Sequence, residues 1–137
     1  TIVNLIGRPS ILRLGGLDAL KIQKTLGFKI NLNINPQKKN APGQMLLHYS
    51  PGIPLRMNAI RYKDKEAFIL INKRNISANN YYYLSKTNNL NEAAKNLYSC
   101  LRKVKKDGYK SIAVETIPFI GLGKTINDRL TRASKYK

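Results

Sequence analysis

Apolar residues recur most regularly over 89–106. There Leu90, Ala93, Ala94, Leu97, Leu101 and Val104 share one side, while Lys95, Arg102, Lys103 and Lys106 fall largely on the others. Spacing of i, i+3, i+4 and i+7 is that of an amphipathic helix, and Gly108 supplies its stop. Shorter apolar runs flank it. Residues 111–117 (SIAVETI) read as a buried-type strand, as do 67–72 with their AFILI run, and 55–62 and 81–84 are further strand candidates. A turn over 118–123 then leads into a second helix over 124–135. Strands alternating with helices predict an α/β fold with an open, mainly parallel sheet and flanking helices, Rossmann-like in organisation.

The first part of the chain has a different texture. Residues 1–5 are β-prone and lack an initiator Met, so we expect the chain to begin inside a larger fold. A turn at Gly7-Arg8-Pro9 precedes a second strand over 10–13. Gly15-Gly16 break the pattern, and Asp18 is placed to cap a short helix that stops at Gly27, with Leu17, Leu20 and Leu26 as its apolar face. Residues 29–44 are polar and Asn-rich, contain Pro36 and Pro42, and are followed by Pro51 and Pro54. That composition predicts a linker, and the domain boundary falls there.

Composition narrows the function classes. The 137 residues contain one Cys and one His, so neither an internal disulfide nor a zinc cluster can form within the chain. No run approaches the about 18 apolar residues of a membrane span, and no signal-peptide core opens the chain. A soluble, reducing, cytoplasmic setting is expected. The net charge of +18 attracts polyanions. It is carried mostly by Lys, alongside many Asn and Ile and no Trp, as in proteins of AT-biased genomes. Charge alone therefore does not assign RNA as the partner.

Candidate chemistry is sparse. Gly121-Leu122-Gly123-Lys124-Thr125 lies between a strand and a helix and ends like a phosphate-binding loop, but Pro118 stands where that loop requires its first Gly. A tight strand-to-helix turn is the preferred reading, with unspecific anion binding as the alternative. His48 has no accompanying nucleophile. Glu115 sits in the buried-type strand, where pairing with Arg129 or Lys110 is favoured over acid–base work. Cys100 is expected to pack as a small hydrophobe, and Tyr81-Tyr82-Tyr83 to alternate between core and surface.

One stretch, APGQMLLHYSPGIPL over 41–55, resembles the linker of the two-domain L-threonylcarbamoyladenylate synthases, approximately SPGM-x-Y-x-HYAP. Pro42, Gly43, Met45, His48, Tyr49 and Pro51 match, while Ala41, the inserted Gln44, the missing first Tyr of the linker and Ser50 depart. TIVNLIGRPSILRLGG resembles the end of the family's YrdC-type catalytic domain, with Asn4 for Asp and Leu14 for Pro. NLNEAAKNLYSCLRKV and SIAVETIPFIGLGKTINDRLTRA resemble its C-terminal accessory domain.

The resemblance implies a division into a catalytic-domain remnant (1–28), a linker or lid (29–55) and an accessory α/β domain (56–137). It implies a nucleotidyltransferase reaction in which threonine, bicarbonate and ATP give threonylcarbamoyl-AMP and pyrophosphate, for threonylcarbamoyladenosine modification of tRNA. Arg13 and Tyr49 would contact ATP, and Pro42, Gly43, His48 and Pro51 would shape the lid. Magnesium would accompany ATP, with no metal site in this chain. A separate catalytic domain would be a partner, tRNA an indirect or weak one, and membranes none. Two other readings stand beside it. A basic tRNA- or partner-binding module without catalysis would use Lys95, Arg102, Lys103 and Lys106. A non-functional gene remnant would expose Ile2, Leu5, Ile11 and Leu12.

Overall fold

The computed structural model of the chain describes residues 1–34, 41–42 and 50–135. The first unit is a small sheet of β1 (Ile2–Asn4), β2 (Ser10–Arg13) and β3 (Asn31–Leu32), in that order. β1 runs antiparallel to β2, and β3 parallel to it. The parallel return needs a crossover, and α1 (Ala19–Leu26) provides it. Asp18 caps α1 as expected, its Oδ1 accepting from the Leu20 amide at 3.1 Å. Gly27 closes the helix at φ 74°, in the left-handed region that glycine tolerates.

Contrary to the expected apolar face, Leu17, Leu20 and Leu26 face solvent, and Ala19 and Ile22 form the inner side of α1. An eight-residue helix presents one narrow inner stripe, and this i, i+3 pair fills it. Further on, β3 pairs within the segment expected to be linker throughout. Ile30, just before β3, belongs to the small core with Ile11, Leu14, Ala19 and Ile22.

The second unit contains a parallel sheet of β4 (Leu55–Arg56), β5 (Glu66–Leu70), β6 (Tyr81–Tyr83) and β7 (Ser111–Val114), in the order β4-β7-β5-β6. The expected strand over 55–62 shrinks to β4, because Asn58 turns the backbone to φ 55°. α2 (Leu90–Lys106) links β6 to β7 and α3 (Leu122–Ala133) follows β7. Asn89 caps α2 by accepting from the amides of Asn91 and Glu92.

Both helices flank the same face of the sheet. Ala67, Ile69, Ile112 and Val114 meet Leu97, Leu101 and Val104 of α2 and Ile126 and Leu130 of α3 in one core. Alternation sends Phe68, Leu70 and Ala113 to the opposite face, where Ala59, Tyr81 and Tyr83 join them. No described helix covers that face, because β5 connects to β6 through the irregular segment 71–80. Among the described residues no helix is long and apolar enough to cross a membrane.

Candidate functional site at the linker anchors

α3 forms the seam between the two units. Asn127 donates through Nδ2 to the carbonyls of Ile117 (3.1 Å) and Gly123 (2.9 Å), fixing the turn before the helix. A Cβ at Gly123 would collide with the Pro118 carbonyl, so this close approach requires glycine. The amide of Gly123 donates to Ile120 O at 2.7 Å, and that of Lys124 to Gly121 O at 3.3 Å. Those donors are therefore engaged internally rather than offered to a phosphate. Thr125 Oγ1 donates to the Gly15 carbonyl at 3.0 Å, tying α3 to the strand end of the first unit. The turn reading of this motif holds, and its threonine joins the two units.

One turn further along α3, Asp128 and Arg132 form a forked pair, Nε to Oδ2 at 3.1 Å and Nη2 to Oδ1 at 3.0 Å. Arg132 is only 6% exposed, and its Nη2 also donates to the Ile34 carbonyl at 3.0 Å. Burying a guanidinium demands such compensation. The Ile34 backbone, the last described point before residue 35, is thereby held by the second unit.

From the first unit, Arg13 at the end of β2 donates through Nη1 to the Pro42 carbonyl at 3.1 Å. Its Nε is buried and has no hydrogen-bond partner among the described residues. A planar fork with a donor to spare suits a carboxylate or phosphate. At the linker's far end Pro51 is buried, and it shares a hollow of about 410 Å³ with Tyr98, Leu101 and Arg102 of α2. The Gly52 amide donates to Ser50 Oγ at 3.0 Å. Gly43, His48 and Tyr49 lie outside the described residues. Of the expected site residues, then, Arg13 and Pro42 meet directly, and Pro51 borders a hollow that α2 also lines.

Sequence reasoning gave no role to Asp128 and Arg132, although their i, i+4 spacing is that of a helical ion pair. It also mispaired Glu115. That carboxylate pairs with Arg74 at 2.7 Å and accepts from the amides of Ile71 and Asn72, rather than meeting Arg129 or Lys110. Strand order decides this, since the ends of β5 and β7 are neighbours. Cys100 is buried, and burial pushes its thiol up to about 12, in keeping with a packing role. Tyr82 points into the main core and Tyr81 and Tyr83 away from it, as alternation requires. Its hydroxyl donates to Asp107 at 2.6 Å, and burial together with that carboxylate raises the phenol's pKa. Lys95, Arg102, Lys103 and Lys106 are all exposed on α2. Ile11 and Leu12, by contrast, are buried, against the remnant reading, while Leu5 is 71% exposed.

Fold and anchors together define a parallel α/β domain whose linker is held both by its own last helix and by an adjoining small sheet. Residues 17–135 match the family model described as the C-terminal domain of threonylcarbamoyl-AMP synthase, and the chain belongs to that family. It is 28% identical over 151 residues to the threonylcarbamoyl-AMP synthase of Pyrococcus abyssi (strain GE5 / Orsay), covering 94% of this chain and 43% of that protein. The crystal structure of P. abyssi Sua5 complexed with L-threonine superposes with a TM-score of 0.76 at 26% identity, over 99% of this chain and 45% of that one. A double variant of P. abyssi Sua5, with a consecutive His and Tyr changed to Ala, has the same fold, with a TM-score of 0.75 at 24% identity. The chain thus spans less than half the length of these relatives.

Proposed function

We propose that this chain supplies the linker lid and accessory domain of a threonylcarbamoyl-AMP synthase, converting threonine, bicarbonate and ATP to threonylcarbamoyl-AMP and pyrophosphate for tRNA modification in the cytoplasm. Residues 1–28 belong to the catalytic side, 29–55 to the lid and 56–137 to the accessory domain. The observation that carries the reading is the Arg13–Pro42 hydrogen bond, which links the end of β2 to the start of the lid motif. Arg13 contacts the nucleotide phosphates and Tyr49 closes over them, with Pro42, Gly43, His48 and Pro51 shaping the arm. A closed arm excludes water from a hydrolysable adenylate. Magnesium enters with the triphosphate as part of the substrate. Among the described residues no three His, Cys, Asp or Glu side chains gather as ligands for it.

The test is pyrophosphate release from ATP with threonine and bicarbonate. It is run with this chain, with the separately expressed catalytic portion of the P. abyssi relative, and with both. Release only in the mixture, reduced by Arg13→Ala and by Tyr49→Phe, is the expected outcome. A mixture as silent as its parts overturns the reading for this chain.

A further inference from the structure

The helix-free face of the parallel sheet carries a second feature that the lid chemistry does not use. A cleft of about 300 Å³ opens there, at the small end of the range for ligand sites. Phe68 and Tyr81 form its floor. Ile60, Arg61 and Tyr62, from the β4–β5 connection, form one wall, and Arg74, Asn75 and Ile76, from the β5–β6 connection, form the other. The rings of Tyr62, Phe68 and Tyr81 form a mutual cluster with centroids 5.8–6.0 Å apart. Tyr62 remains 41% exposed, so part of that ring is open to a stacking partner.

Each wall is held by an ion pair. Arg56 grips Glu66 through Nε (2.9 Å) and Nη2 (2.7 Å), and its Nη2 also donates to the Arg61 carbonyl at 2.6 Å. The Lys63 amide donates to the same carboxylate at 2.8 Å. Opposite, Glu115 holds Arg74. The carboxylates of Glu66 and Glu115 are thus neutralised, no acidic residue lines the cleft, and the exposed Arg61 side chain makes no hydrogen bond or ion pair among the described residues. Across Tyr81, at the β6 edge of the sheet, a second hollow of about 450 Å³ opens between β6 and α2. Lys86 and Lys103 line it, and its one carboxylate, Asp107, is already bonded to Tyr82 and Lys103. Two depressions sharing one aromatic ring, each with cations at its margin, match successive units of a strand in which flat bases alternate with phosphates.

We propose that the β6 edge of the sheet, where the two depressions meet at Tyr81, binds single-stranded RNA, with a base stacked on Tyr62 in the smaller cleft and flanking phosphates met by Arg61 and by Lys86. Of the basic residues of α2, Lys103 lines the second hollow, whereas Lys95 and Arg102 line neither depression. The proposal is independent of the lid reading.

The full chain is titrated into a fluorescein-labelled single-stranded RNA about eight nucleotides long, sized to the ~4–16 nucleotides typical of such grooves. Anisotropy is read between about 50 and 200 mM salt. The same titration is repeated with a duplex of the same sequence and in competition with free AMP. Expected results are preference for the single strand, weak competition by AMP, and about 5- to 150-fold loss of affinity in Tyr62→Ala with an unchanged salt dependence. Arg61→Glu should flatten the salt dependence by about one contact, and Arg102→Glu should leave binding nearly unaltered. Competition by AMP at the affinity of the oligonucleotide would make the cleft a mononucleotide site and overturn the proposal. Equal losses in Arg61→Glu and Arg102→Glu, with Tyr62→Ala silent, would reduce binding to diffuse charge and do the same. Absence of binding at the lower salt would also overturn it.

Discussion

Around the parallel sheet, Leu97, Val104, Ile112, Ile126 and Leu130 are fully enclosed and both helices bury a continuous stripe. Around the small sheet, Leu5, Ile6, Leu17 and Leu20 face solvent. The small core consists of Ile11, Leu14, Ala19, Ile22 and Ile30. Hydrophobic stabilisation scales with the area removed from water, so the second unit holds itself together. The first relies on being tied to it, through Thr125–Gly15 and Arg132–Ile34. The second of these anchors also fixes the backbone at Ile34, where the described part of the first unit ends before residue 35.

The two cores should differ most when a large side chain is truncated in each. Leu97→Ala should cost about 4 kcal/mol in urea denaturation, since nothing near it can collapse into the space. Ile22→Ala should cost about 2 kcal/mol, because Ile22 borders an open hollow lined by Val3, Leu5, Leu17 and Leu26. Equal losses would show the two cores to be equivalent.

The seam comes next. Arg132→Ala strips the partner from a half-buried Asp128 and should destabilise the chain by about 3 kcal/mol. Asp128→Asn in the same chain should restore part of that loss. Hydrogen exchange should quicken at β3 before β5. Protection lost equally in both strands would mean that the clamp supports the whole fold rather than the linker base. A smaller effect is expected at the cap of α1. Asp18→Ala should cost about 1 kcal/mol, with faster exchange confined to residues 19–26.

Acid should act first on the larger unit. Burial pushes the Glu66 carboxyl up, but the hydrogen bonds and charges of Arg56 and Lys63 outweigh it and hold its pKa below the ordinary value. Hydrogen bonds from Tyr82 and Lys103 lower that of Asp107. A carboxylate with a lower pKa folded than unfolded stabilises the fold above the unfolded value and loses that contribution as pH falls through the folded one. Resistance to urea should therefore decline below about pH 4, with the loss centred on the parallel sheet. In Glu66→Gln that decline should be shallower. An unchanged slope would remove Glu66 from the acid response.

The sequence by itself determined the elements governed by neighbours a few residues away. Periodicity and the Gly108 stop marked α2, the Asp18 cap and the Gly27 stop marked α1, and apolar runs marked β5 and β7. Ordered motifs over 41–55 and in the last helix pointed to the family. Tertiary structure alone decided what depends on strand order and long-range approach. It placed both helices on one sheet face, gave Glu115 to Arg74, cut β4 to two residues and turned the leucines of α1 outward. It also brought Arg13 to Pro42 and Arg132 to Ile34, across 29 and 98 positions of chain. No local pattern encodes such pairs, because a guanidinium takes whichever acceptor the packed backbone brings within its reach.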